Sequence, residues 1–111
     1  MALPSLSGPH ILSIRSIDQT ITDKMPGVHV PNARVGGVLT ARRAGRSEDD
    51  LATRIKEFVG LYSDFSCAVA SLPKHAYELE CELYHAWMPP ENTGHPARPD
   101  DADWSCPICS R

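Results

Sequence analysis

No apolar run in this chain approaches a membrane span, which takes about 20 consecutive apolar residues. The start, MALPSLSGPHILSI, lacks the basic region and sustained apolar core of a secretory signal. Membrane and secreted classes are set aside, and the expected compartment is the cytoplasm. Internal repeats are missing too, so solenoid architectures are not in question. A basic excess is also lacking. The formal net charge is −3, which argues against a general nucleic-acid binder with a basic surface. The charge is unevenly spread, however. Arg34, Arg42, Arg43, Arg46, Arg54 and Lys56 fall in the first half, and Glu78, Glu80, Glu82, Glu91, Asp100, Asp101 and Asp103 in the second. A local basic face on an acidic protein is compatible with this pattern, and so is a solvated surface without a role.

What is present fits one small globular domain. The 111 residues suffice for a single modest core. Residues 1–25 read as a lead-in with one short element: a loose Pro/Gly/Ser stretch to residue 9, then a strand or turn and a short helix carrying Ile14, Ile17 and Ile21. PGVHV (Pro26–Val30) reads as a turn opening a strand, PNARVGG as a loop, and VLTARRA (Val38–Ala44) as a second strand forming a hairpin with the first. Ser47 followed three residues later by Asp50 has the spacing of a capping box. The helix after it places Leu51, Ile55 and Phe58 on one face, with Arg54 at the rim. FSCAVAS (Phe65–Ser71) is a strand candidate. Pro73 opens a second helix that Pro89–Pro90 stop.

That second helix contains AYELECELYH. On a helical wheel, Leu79, Leu83 and Trp87 lie within about 60° of Ala76 and form a core stripe. Glu80 falls inside the stripe. A carboxylate there is costly unless an arginine, water or a cation meets it. Cys81 and His85 point to the opposite side, roughly 6 Å apart, a spacing that suits two ligands of one zinc. Cys106-Pro-Ile-Cys109 supplies the CxxC knuckle that completes such a set. Cys81, His85, Cys106 and Cys109 are therefore the expected structural zinc ligands, with His95 able to replace one. The alternative is a buried, inert Cys81 and a free CxxC. Two disulfides fit poorly with a cytoplasmic chain.

These residues, in this order, resemble the GIY-YIG nuclease domain. GRSEDDLATRIKEFVG is similar to the stretch running from that family's second motif glycine, Gly45, to its helix arginine, Arg54. AYELECELYH puts Glu80 at the metal-binding glutamate, and Asn92 stands at the asparagine that often follows. The tail HPARPDDADWSCPIC is similar to the cysteine-bearing ending of a bacterial and phage branch. The resemblance covers roughly residues 26–109. It departs at both motif tyrosines, where His29 and Arg43 stand. It implies an α+β fold, a small, mainly antiparallel sheet of about three strands flanked by helices, with a zinc-pinned C-terminal tail. The domain would occupy residues 26–111. It further implies metal-dependent phosphodiester hydrolysis in which Glu80 holds Mg²⁺ or Mn²⁺, Arg43 and Arg54 contact phosphate, His29 activates water and Asn92 supports them. The partner would then be nucleic acid, DNA rather than RNA. The competing expectations are a non-catalytic inhibitor or accessory module that binds a protein through the same scaffold, and a zinc-knuckle protein unrelated to nucleases.

Overall fold

The computed structural model describes residues 5–109. In chain order the elements are β1 (Ser7–Ile11), α1 (Ile14–Thr20), β2 (Gly27–Val35), β3 (Val38–Ala41), β4 (Gly45–Ser47), α2 (Leu51–Lys56), β5 (Asp64–Val69) and α3 (Pro73–Trp87). The strands form one open antiparallel sheet in the order β1-β5-β2-β3, with β4 also paired to β2. The α+β class is as expected, but the sheet has five strands rather than about three. No helix among the described residues is long and apolar enough to cross a membrane.

The difference in strand count arises at two places. Residues 7–9, read as loose, and His10–Ile11, read as the start of a strand or turn, together form an edge strand on β5, and α1 packs against α2. The expected second strand, Val38–Ala44, is broken in two. Asn32–Val35 of β2 pairs with β3, whereas Gly27–His29 pairs with β4. Between these stretches lies Pro31, a residue without an N–H to give the ladder, and such residues collect at bulges and edges. Opposite it the chain bulges through Arg42, Arg43 and Ala44. Strand β2 nevertheless continues through Pro31 to Val35, because Pro31 still faces Phe65 of β5 and its carbonyl accepts from Arg42 N at 3.0 Å.

Alternation along β2 sorts the core onto two faces. Val28 and Val30 pack with Leu83 and Leu79 of α3. On the other side Leu51 and Ile55 of α2 join Ile17, Ile21, Phe65 and Cys67; each fully buried side chain of this size contributes about 1.5–3 kcal/mol. Helix α2 starts three residues later than the capping-box spacing implies. Asp50 is the N-cap, accepting from Thr53 N, while Ser47 belongs to β4 and its hydroxyl accepts from Asp50 N at 3.0 Å. Helix α3 ends at Met88, whose left-handed φ of 40° stops it ahead of Pro89.

The wheel for α3 needs one correction. Ala76 and Leu83 are buried as expected, but Trp87, the last residue of the helix, is 40% exposed. The back of the helix is buried instead: Tyr77 and Cys81 form a small cluster with Cys106 and Trp104 of the tail. Helix α3 is thus covered on two sides, by the sheet and by the chain's own end.

Candidate functional site

The bulge between β3 and β4 is held by residues beyond α3. Asn92 grips Ala44 at both ends of its amide side chain, Oδ1 accepting from Ala44 N at 2.8 Å and Nδ2 donating to Ala44 O at 3.1 Å. Glu91 N donates to Arg42 O at 2.9 Å, and the Glu91 carboxylate accepts from Arg42 Nε at 2.8 Å and from the Tyr62 hydroxyl. The segment after α3 thereby replaces the backbone partners that the broken strand lacks. Arg43 is left projecting from the bulge with its guanidinium 5.2 Å above the Phe58 ring. Its Nε is buried and without a hydrogen-bond partner.

Beside this bulge lies a cleft of about 650 Å³. His29, Arg43, Arg54, Glu80 and Asn92, the five residues expected to act together, all line it. The cleft straddles the β4 edge. His29 and Phe58 belong to the α2 side, their rings 5.2 Å apart, and Glu80 comes from α3. Scattering of His29, Arg54 and Glu80, which would have favoured a zinc-knuckle protein unrelated to nucleases, is not what the structure has: all three line this one cleft.

His29 is buried against Gly45, and a Cβ at that glycine would sit 2.7 Å from the ring. Burial, reinforced by the positive charges of Arg43 and Arg54, pushes the imidazole down to about 3. It is therefore neutral, and its Nδ1 has no partner. Arg54 stands at the exposed rim, 3.3 Å from Glu57 of the same helix.

Glu80 is 8% exposed. It resolves the cost of a carboxylate in an apolar stripe by pairing with an arginine: Arg46 Nη1 donates to Glu80 Oε1 at 2.6 Å. Burial raises the Glu80 carboxyl above its ordinary range, and Arg46 opposes the rise. Arg46 was not among the residues singled out in the sequence. The stripe pattern called for a cation near Glu80, but only the pairing of β4 with β2, 34 positions away from Glu80, selects which one.

Below the cleft, His85, His95, Cys106 and Cys109 bring one ligand atom each within 4.8 Å of one another. This His2Cys2 group is able to coordinate a metal ion. A tetrahedral zinc holds its ligand atoms roughly 3.3–3.8 Å apart, and His95 Nε2 and Cys109 Sγ are already 3.3 Å apart. Cys106 Sγ accepts from Ile108 N, the turn geometry of a knuckle. Although burial acts upward, the Cys109 and Ile108 amides and His95 bring the Cys106 thiol down to about 6. The buried His85 Nε2 has no protein partner.

Cys81 is not in this group, and His95 stands in its place. Cys81 is wholly buried under Trp104 beside Tyr77, where burial pushes its thiol up to about 12. His95 instead comes over the end of α3 from the following loop, its ring 5.1 Å from that of His85 and 5.5 Å from that of Tyr84.

No family model matches this chain, and no curated protein or solved structure matches it significantly.

Proposed function

We propose that this chain is a GIY-YIG-like domain whose cleft binds a nucleic-acid phosphodiester and hydrolyses it with Mg²⁺ or Mn²⁺. The observation that carries the reading is the convergence of five motif-derived residues on one cleft, from β2, the bulge, α2, α3 and the loop after it. A divalent ion on Glu80 would supply a Lewis acid for the phosphoryl oxygen. Mg²⁺ sites commonly use one or two carboxylates, with water and phosphate completing the shell, so a lone buried glutamate fits such an ion once Arg46 yields it. Arg43 and Arg54 clamp the phosphate, and Arg43 is positioned for this by Asn92 through Ala44. His29 faces the attacking water. Phosphate charge beside Arg43 and Arg54 would offset only the smaller, coulombic part of the depression; burial, the larger cause, remains, so His29 meets the water as a neutral imidazole.

The tail ion, in the same reading, is zinc: two thiolates and two imidazoles are a zinc ligand set, and with four protein ligands it is a clamp rather than a catalyst. Native mass spectrometry with and without chelator counts it. For the cleft, cleavage of end-labelled DNA is expected with Mg²⁺ or Mn²⁺ and is expected to vanish in Glu80→Ala and Arg54→Ala. Cutting that persists in Glu80→Ala rules out the mechanism.

A second reading, a non-catalytic module on the same scaffold, is favoured by the Arg46–Glu80 ion pair, which occupies the carboxylate a catalytic cation needs. It expects a bound partner and no cutting with any divalent ion.

A further inference from the structure

Arg46 is the middle residue of β4, and strand alternation turns its side chain away from buried Gly45 and Ser47 towards α3. There its guanidinium lies 5.1 Å above the Tyr77 ring. Its donors are divided between two sides. Nε and Nη2 both reach Glu48 Oε2, at 3.2 and 2.8 Å, and Nη2 also reaches Ala97 O. Nη1 alone reaches Glu80. The side chain therefore keeps Glu48 and Ala97 O as acceptors for Nε and Nη2 whichever acceptor Nη1 serves.

We infer that Arg46 is an exchangeable partner for Glu80, releasing the carboxylate to a divalent cation and passing Nη1 to the phosphodiester bound beside it. The inference rests on the proposed reading of the cleft as a phosphodiester site. Both charges are largely desolvated, with side-chain exposures of 12% for Arg46 and 10% for Glu80, and stranding one member of such a pair is strongly unfavourable. A cation arriving alone would take Glu80 from Arg46 and set a positive charge beside Nη1, with Glu48 as the arginine's remaining carboxylate partner. A phosphodiester arriving alone would compete with Glu80 for Nη1 and leave the carboxylate less compensated, beside a second negative charge. When both arrive, the order Glu80, cation, phosphate, Arg46 alternates in sign and each charge has an opposite neighbour. Cation and diester must then favour each other's binding, and by linkage the effect is equal in both directions. Arg46 gives the site a dependence on simultaneous occupancy, so that the cation is retained chiefly when there is a phosphate to act on.

The test is calorimetric titration of Mn²⁺ into the full, zinc-loaded chain, with and without a dinucleoside phosphorothioate diester. In the native chain the diester is expected to tighten Mn²⁺ binding by about 10-fold, within the usual range of coupling between sites. Arg46→Met keeps an unbranched stem over Tyr77 and removes the charge. There Mn²⁺ alone is expected to bind more tightly, with the diester effect falling below about 2-fold. Glu80→Gln abolishes Mn²⁺ binding. Arg46→Gln takes the place of Arg46→Met if circular dichroism shows the latter unfolded. Native Mn²⁺ affinity indifferent to the diester, or coupling that survives loss of Arg46, overturns the inference. Cleavage of an ordinary diester is followed in parallel: coupling without cleavage removes the hydrolase reading and leaves the exchange, whereas cleavage without coupling removes the exchange alone.

Discussion

At the scale of single residues, the cleft depends on a histidine kept from its proton. An imidazole pushed down to about 3 in the fold takes up a proton near 6.5 when the chain unfolds. Above 6.5 both states are neutral and His29 adds no pH dependence. As pH falls below 6.5 the unfolded state gains a proton that the folded state refuses, and stability is lost at about 1.4 kcal/mol per pH unit, levelling only near pH 3. Urea midpoints of the native chain and His29→Gln between pH 5 and 7 are expected to diverge in this sense, the variant having the flatter profile; parallel profiles would mean that His29 titrates freely. Gly45 is the other half of the arrangement. Its missing side chain leaves room for the ring, with a Cβ contact of 2.7 Å to Cε1 and 2.8 Å to Nε2 if one were added. Gly45→Ala is expected to cost about 1–3 kcal/mol by overpacking, read as a lowered urea midpoint. Glu80 and Arg54 stood out in their local pattern, an acid in an apolar stripe and an arginine at a helix rim, whereas His29, Arg43 and Asn92 were reached only through the family resemblance; the structure brings all five to one cleft. What was not legible is who meets whom. Arg46 with Glu80, and His95 rather than Cys81 with the knuckle, are selected by long-range pairing that periodicity does not encode.

At the scale of elements, α2 and α3 were readable because capping residues and prolines punctuate them, and because their apolar residues recur at helical spacing. The broken strand was not. VLTARRA has the composition of one strand, yet the partner strand carries Pro31, and the sheet pays for that missing donor by breaking opposite it. The break is where Arg43 stands, half-buried and lining the cleft, so the cleft owes this wall to an imperfect hairpin. Asn92 repairs the gap. Asn92→Ala removes two hydrogen bonds to Ala44, which at about 0.5–1.5 kcal/mol each gives a loss of roughly 1–3 kcal/mol in chemical denaturation. If Asn92 positions Arg43, the variant also weakens binding of a phosphodiester probe beyond what its lowered stability explains. Probe affinity unchanged in the folded variant would reduce Asn92 to a structural clamp.

For the molecule as a whole, the tail is where the site and the metal group meet. His95 belongs to the ion cluster, while Thr93, Gly94 and Pro96 around it line the cleft, and Ala97 O accepts from Arg46. Arg98 ties the same stretch to Trp104 O at 2.7 Å, and Trp104 covers Tyr77. A proline-rich stretch of this composition has little apolar surface of its own to bury, and a metal ion on the His2Cys2 group would supply the fixing that burial does not. An ion present at a thousandfold excess over its Kd adds about 4 kcal/mol to the folded state, which for a domain of this size corresponds to roughly 15 °C in Tm. Chelation is expected to lower Tm by that order and to speed hydrogen exchange at the amides of Ala44, Glu91 and Asn92, which lie on the cleft and not on the metal. Ligand substitutions separate this from a general loosening. Cys109→Ser and His95→Ala should lose the ion and reproduce both effects, whereas Cys81→Ser should retain one ion per chain, because its sulfur is packed under Trp104. Loss of the ion in Cys81→Ser would return that cysteine to the ligand set. Exchange at Ala44 and Asn92 that is blind to chelation would mean that the clamp and the cleft are independent.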